Sequence, residues 1–157
     1  MVKITKTTKP IKEKDIERSW HLVDVSDQSL GRIAGKISRL LQGKHKVNYA
    51  PYLDSGDFVV VVNAQRIKIT GHKGENKIYT RYSGYPGGLK KISLNNLLKQ
   101  KPAEVIKRAV LGMLPKNKLR KRRAARLFIF PDEKHPYEDK FKTLNSKFQS
   151  KVKLNYL

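Results

Sequence analysis

The chain has no cysteine and no long apolar run. Without cysteine it has no disulfide, no thiolate nucleophile and no cysteine-based zinc site, and a reducing compartment is the default expectation. Its longest unbroken apolar run is five residues, Phe58 to Val62, which is too short for a transmembrane helix. We therefore expect neither a disulfide-stapled domain nor a membrane-spanning helix.

Acidic residues are also scarce, because 13 Asp and Glu stand against 35 Lys and Arg, giving a formal net charge of +22. Between Phe58 and Pro131 there are eighteen cationic residues and only two acids, Glu75 and Glu104. Such a chain repels itself unless a polyanion neutralises it. Since 38% of the residues are hydrophobic, the chain can still bury a core. The composition predicts a folded nucleic-acid-binding protein.

Catalytic and metal-binding motifs are missing. Asp54-Ser55-Gly56 has the letters of an aspartic-protease loop, but Asp57 follows it and no second copy exists. We interpret this segment as a turn before a buried strand, in which Asp54 or Asp57 hydrogen-bonds local backbone. The glycine clusters at 71–74 and 84–88 match no phosphate-binding loop. We predict no catalytic residue and no cofactor.

The histidines show no paired spacing, so the pattern predicts no metal site. They lie far apart in sequence and are His21, His45, His72 and His135.

The first half of the chain predicts a βαβ unit with a right-handed crossover. A strand is expected at 20–25, and a helix from about Leu30 to Gln42, closed by Gly43, has apolar residues at helical spacing. The β-branched run from Phe58 to Val62 lacks alternation, which is typical of a strand covered on both faces.

The second half predicts a basic hairpin, two helices and a last strand. Ile67 and Ile69 should lie in one hairpin strand and the segment 78–82 in the other, with the turn at 71–76. Ser93 should cap a short helix and Pro102 should open the next one. Pro115 ends that helix, and a dense basic segment leads to a strand at 127–130.

We therefore expect one α/β domain, residues 19–131, with a small, mainly parallel sheet and a basic β-hairpin. A flexible arm at 1–18 and an extended polar tail at 132–157 should flank it.

Three basic surfaces are candidates for RNA contact: one face of the helix 30–42 with the loop at 44–46, the hairpin tip with Tyr79, Arg81 and Tyr82, and the segment 116–126. Lysine and arginine should contact phosphates, and tyrosine can stack on a base or ribose. The helix face could instead be solvated charge, and for Tyr49 alone packing on the core is the better interpretation. The predicted RNA-binding residues are Arg32, Lys36, Arg39, Lys44, His45, Lys46, Tyr49, Arg66, Lys68, His72, Lys73, Lys77, Tyr79, Arg81, Tyr82, Lys90, Lys91, Lys116, Lys118, Arg120, Lys121, Arg122, Arg123 and Arg126.

Five blocks of residues follow one another in a recognisable order. They are Ser29-Leu30-Gly31-Arg32; Gly43-Lys44-His45-Lys46; Asp54-Ser55-Gly56-Asp57 with the valine strand and Asn63-Ala64; Thr70-Gly71-His72-Lys73 with Lys77, Tyr79 and Gly87-Gly88; and Gly112-Met113-Leu114-Pro115-Lys116. Together these blocks resemble the bacterial-type large-subunit ribosomal protein family numbered thirteen, over about residues 20–130.

This resemblance implies a three-layer α/β/α domain that binds large-subunit ribosomal RNA directly and early in assembly. It also implies neighbouring ribosomal proteins as partners, no catalytic activity, and a place in a cytoplasmic, bacterial ribosome or in an organellar one. By position it implies RNA contacts at Arg32, at 44–46, at 70–73 and from Lys116 onward. The segment after Pro115 departs from the family in its high content of Arg and Lys.

Two alternatives stay open from the residues alone. A free-standing architectural nucleic-acid-binding protein would show no preference for RNA over DNA. A nucleic-acid-processing enzyme of α/β fold would show turnover, because catalytic groups need not be close in sequence.

Overall fold

A computed structural model describes residues 12–141 of the chain. The rest of the predicted arm and tail, 1–11 and 142–157, lies outside the described residues. No helix in the described part is long and apolar enough to cross a membrane. The elements are β1 (Trp20–Asp24), α1 (Leu30–Gln42), β2 (Phe58–Val62), α2 (Lys73–Asn76), β3 (Ile78–Tyr82), β4 (Leu89–Ser93), α3 (Leu94–Gln100), α4 (Pro102–Met113), α5 (Leu119–Ala125) and β5 (Leu127–Ile129), with 3-10 turns at Glu13–Asp15 and Ala64–Arg66.

A three-stranded parallel sheet forms the centre of the fold, in the order β1-β2-β5. Its register aligns Trp20 with Phe58 and Val59 with Leu127. The middle valines of β2 have no exposed surface, as expected for a central strand covered on both faces. The prediction of a single α/β domain with a small, mainly parallel sheet is confirmed.

Helices α1 and α4 cover one face of this sheet. Ile33 and Ile37 of α1, and Ile106 and Val110 of α4, pack with the odd-numbered valines of β2 in the main core. The predicted bounds of α1 are confirmed, and Gly43 ends the helix in the left-handed conformation at φ 77°.

Aromatic side chains cover the opposite face. Trp20 stacks on Phe58 at 4.5 Å between ring centroids, and Tyr137 lies 5.3 Å from Trp20 and 4.6 Å from Phe128. The chain beyond β5 therefore returns across the sheet at least as far as Tyr137.

A basic β-hairpin is present, but one of its two strands differs from the prediction. Strand β3 pairs antiparallel with β4, and the loop at 83–88 joins them. Ile67 and Ile69 do alternate towards two apolar clusters, but their segment is extended and forms a parallel bridge between Ser29 and Lys68. An alternating pattern shows which side chains are buried, but it does not identify the partner strand.

Asp54 forms buried ion pairs with two arginines of the basic segment. Arg126 donates from Nη1 to Oδ2 at 2.5 Å and from Nη2 to Oδ1 at 2.6 Å, and Arg123 Nε lies 3.5 Å from Oδ1. Arg123 is 1% exposed and Arg126 7% exposed. Both guanidinium groups face the interior, which argues against the RNA contacts predicted for these two residues. Both arginines lie about 70 residues after Asp54 in the chain. The expectation that Asp54 would bond to local backbone was therefore wrong.

The loop that carries Asp54 runs against the end of α1, and Gly56 permits this approach. A Cβ at this glycine would lie 1.8 Å from the carbonyl oxygen of Leu41 and 3.0 Å from Arg126 Nη2. Only a residue without a side chain fits there without movement of the backbone.

The Asp54 pairing predicts acid-sensitive stability. Burial would raise the pKa of the Asp54 carboxyl, but the hydrogen bonds and charge of Arg126, with the charge of Arg123, hold its pKa below the ordinary value. The pairing therefore contributes stability above the unfolded pKa of about 3.9 and loses it as the pH falls below that value. We expect Asp54→Asn to lower the free energy of unfolding at pH 7 by about 3 to 5 kcal/mol, because two buried cations lose their partner.

Urea unfolding between pH 7 and pH 3 checks this expectation. The Asp54→Asn protein should lose less stability than the natural chain as the pH falls, whereas Asp132→Asn, at an exposed position, should follow the natural chain. Equal losses in all three proteins would contradict the assigned role of Asp54.

Gly56→Ala should also destabilise the fold, by about 1 to 3 kcal/mol, because the added methyl forces α1 and the loop apart. The matched control is Gly112→Ala, where a Cβ would meet no atom within 4 Å. Thermal unfolding measures both, and a Gly56→Ala protein as stable as the control would contradict the close approach.

Candidate nucleic-acid interface

A groove lies where α1 begins and α4 ends. Its volume is about 370 Å³, and its lining joins the Ser29-Leu30-Gly31 turn, the segment 68–70 and the α4 residues Gly112 and Met113. Lys68, Lys73 and Lys77 line this groove together with Arg108. Three sequence blocks that are far apart in the chain therefore meet at one site.

A second groove of about 630 Å³ lies between α4 and α5. Its floor is apolar and includes Leu111, and its cations are Lys107, Lys116, Arg120 and Lys121. Arg120 is held in place because its Nη2 donates to the Leu111 carbonyl oxygen at 2.6 Å.

Helix α4 forms the wall between the two grooves. Arg108 and Gly112 line the first groove, while their neighbours Lys107 and Leu111 line the second. Sequence reasoning missed Lys107 and Arg108, although helical spacing places neither of them with the apolar residues of α4 at 105, 106 and 110.

Arg108 has a defined position in the first groove. Its Nε and Nη2 donate to Glu104 Oε1 at 2.9 and 2.5 Å, and its guanidinium carbon lies 4.9 Å from the centroid of the Tyr79 ring. Lys77 Nζ lies 5.4 Å from the same centroid. Tyr79 packs beside Leu94 and is half-buried, so it orients two cations through its ring face.

Most of the other predicted contacts are exposed but are separate from these grooves. The stripe on α1 points to solvent, and strands β3 and β4 carry cations beside Tyr82, which is 63% exposed. Tyr49 is half-buried. The predicted residues that are exposed outside the grooves are Arg32, Lys36, Arg39, Lys44, His45, Arg66, His72, Arg81, Tyr82, Lys90, Lys91, Lys118 and Arg122.

Lys46 donates hydrogen bonds to the buried carboxylate of Asp57 and to two backbone carbonyl groups. Its Nζ donates to Asp57 Oδ1 at 2.5 Å, to the Glu17 carbonyl oxygen at 2.6 Å and to the Ser55 carbonyl oxygen at 3.0 Å. These bonds use all three ammonium hydrogens. Lys46 therefore has a structural role inside the fold, and its predicted RNA contact stays a prediction.

The Asp57 carboxylate also contacts hydrogen-bonding groups from distant parts of the chain. The Ser19 N–H donates to Oδ1 at 3.0 Å, and His21 Nε2 and His45 Nε2 each lie 2.9 Å from Oδ2. Burial would raise the pKa of Asp57, but the hydrogen bonds from His21, Lys46 and the Ser19 N–H lower it to about 2. Burial lowers the pKa of His45, against the opposing effect of the Asp57 charge. The expectation of local backbone bonding is corrected for Asp57 too.

Comparison with known proteins gives one consistent match. The family model described as ribosomal protein L13 matches residues 18–136. The chain is 49% identical over 136 residues to a protein of Petrotoga mobilis named large ribosomal subunit protein uL13, covering 87% of this chain and 90% of that protein. Proteins of the same name are 48% identical in Roseiflexus castenholzii (80% and 86% covered) and 48% identical in Thermobifida fusca (81% and 85% covered).

The two neighbouring lysines of the loop after α1 should behave differently. Lys46→Gln should lower the free energy of unfolding by about 1.5 to 3 kcal/mol, because buried Asp57 loses a charged hydrogen-bond donor. Lys44→Gln should leave it within about 0.5 kcal/mol, since Lys44 is exposed. Urea unfolding of both variants checks this, and equal stability would argue that Lys46 is a surface cation.

Proposed function

The chain belongs to the ribosomal protein L13 family, and on that basis we propose that it binds large-subunit ribosomal RNA directly through the two grooves beside α4. The family model covers residues 18–136, and the relatives are named as proteins of the large ribosomal subunit. The family is structural and not enzymatic, so the chain is a structural constituent of the large subunit and the prediction that it is no enzyme is confirmed.

One observation supports the grooves above all others. Eight cations line them, four in each, and no acidic residue lines either one within the described part of the chain. Three acids lie close by: Glu104 is paired with Arg108, Asp27 is paired with Lys68 at 3.0 Å, and Glu75 stands between Lys73 and Lys77 in the sequence. A concave surface of one sign concentrates field lines and attracts a polyanion, and the strands of a folded RNA carry a phosphate at every nucleotide.

The two kinds of cation suit different tasks in this proposal. Lysines at the groove edges act as point charges against phosphates, whereas Arg108, held by Glu104 and Tyr79, offers a guanidinium in a fixed position. Phosphate contacts release counterions and supply most of the affinity, while RNA shape and 2′-hydroxyl groups supply specificity.

An assembly role follows from the same charge. A folded domain of high positive charge lowers the repulsion between RNA segments that must approach one another. We include neighbouring ribosomal proteins as further partners and the cytoplasm of a bacterial cell as the compartment, since the named relatives are bacterial.

Two charge-matched variants test the grooves. The first changes Lys73, Lys77, Lys116 and Lys121 to Gln, and all four line the grooves. The control changes Lys99, Lys101, Lys134 and Lys140 to Gln, which are exposed and line neither groove. Fluorescence anisotropy with deproteinised bacterial large-subunit RNA at several salt concentrations gives affinity and salt slope.

The groove variant should bind more weakly and should flatten the plot of log K against log salt by about three units, because each phosphate contact contributes about 0.7 to 0.9. The control variant should keep a slope within about one unit of the natural chain, and circular dichroism should show both variants folded. Equal loss in the two variants would mean that net charge alone governs binding. Equal competition by duplex DNA would favour an architectural DNA-binding protein.

A further inference from the structure

Two histidines and a buried aspartate meet where β1 and β2 begin. His21 lies on β1, His45 in the loop after α1, and Asp57 directly before β2. Their ligand atoms all lie within 4.8 Å of one another. The side chain of Asp57 is 0% exposed, while those of His21 and His45 are 32% and 36% exposed. The grooves beside α4 include none of these three residues.

We propose that His21, His45 and Asp57 form a binding site for one divalent transition-metal ion of the zinc type. Two imidazole nitrogens and one carboxylate oxygen are a common donor set for zinc. Hard cations such as Mg²⁺ and Ca²⁺ prefer a shell of oxygen atoms. The donor atoms therefore select the class of metal.

The distances fit such an ion after a small adjustment. Zinc lies about 2.0 to 2.2 Å from nitrogen and oxygen ligands, which places two tetrahedral ligand atoms about 3.3 Å apart. Each histidine Nε2 lies 2.9 Å from Asp57 Oδ2, about 0.4 Å closer than in such a site, and all three ligand atoms lie within 4.8 Å of one another, so the rings would move away from the carboxylate and towards a shared ion. In the metal-bound form each neutral imidazole carries its proton on Nδ1, which leaves the Nε2 lone pair for the metal.

The carboxylate of Asp57 is already oriented for this role. Lys46 Nζ and the Ser19 N–H both hold Oδ1, which leaves Oδ2 to face the two histidines. Groups behind a ligand that fix its direction are typical of metal sites. The partial exposure of both rings provides an entry path and a fourth position for water.

The charge of the surroundings narrows the choice of ion further. The Lys46 ammonium and the net charge of +22 oppose the entry of any cation. An ion held mainly by charge is disfavoured there, whereas one that forms strong bonds to imidazole nitrogen can be retained. A bound ion would tie β1, the loop at 43–46 and the loop at 54–57 together.

Titration of the purified, RNA-free and metal-free full chain tests this site. Calorimetry with zinc chloride gives affinity and stoichiometry, and the visible absorption of added Co²⁺ reports nitrogen and oxygen ligands in a four-coordinate geometry. The variants are His21→Gln and His45→Gln, which keep Asp57 bonded to Lys46 and Ser19. The matched control is His72→Gln, at an exposed turn position.

We expect the natural chain to bind one zinc ion, and each of the two site variants to lose at least about tenfold in affinity. The control should bind as the natural chain does. Zinc should raise the melting temperature of the natural chain and of the control, and should raise it less in the site variants. Circular dichroism without metal shows whether each variant is folded.

Two results would overturn the proposal. One is the absence of zinc binding by the folded natural chain together with the absence of a four-coordinate Co²⁺ spectrum. The other is equal affinity in the natural chain and all three variants, which would place the metal elsewhere. Neither result bears on RNA binding by the grooves.

Discussion

The buried pairing of Asp54 with Arg126 and Arg123 is the constraint on which the rest of the structure depends. An unpaired charge in that position would cost several kcal/mol, so the basic segment and the loop before β2 must come together. Because Arg123 points inward, the cations on the opposite side of α5, such as Lys121, are exposed. The same run of charges thus anchors the segment to the core and supplies an outer cationic surface.

The loop at 54–57 places its two carboxylates at the edge of the sheet where the parallel strands begin, and each carboxylate binds different elements. Asp54 holds the arginines near β5, while Asp57 holds β1 through His21 and the loop after α1 through Lys46. In a chain with few acids, these two are used inside the fold to neutralise inward-facing cations. The outer surface beside α4 is therefore left with an excess of positive charge, and this excess makes it suitable for a polyanion.

The positions of the groove cations depend on apolar packing beneath them. The small apolar cluster of Leu94, Leu97 and Val105 fixes Tyr79 of β3 against α3 and α4, and Tyr79 in turn orients Arg108. Gly56 allows the loop that carries both aspartates to pass close to the end of α1. Apolar contacts and one close backbone approach thus set the positions from which the cations act.

The sequence by itself determined the local elements and the class of partner. The apolar period of α1, the β-branched run of β2 and the proline that opens α4 are local signals, and the charge of +22 already pointed to a polyanion. Only the tertiary structure decided that β3 pairs with β4, that Arg123 and Arg126 turn inward, and that His21 meets His45. Each of these outcomes depends on contacts between residues distant in the chain or on the direction in which a charged side chain faces. Periodicity and composition describe a residue's neighbours along the chain. Strand pairing, the burial of charged side chains and the approach of the two histidines are decided by the free energy of the whole packed domain.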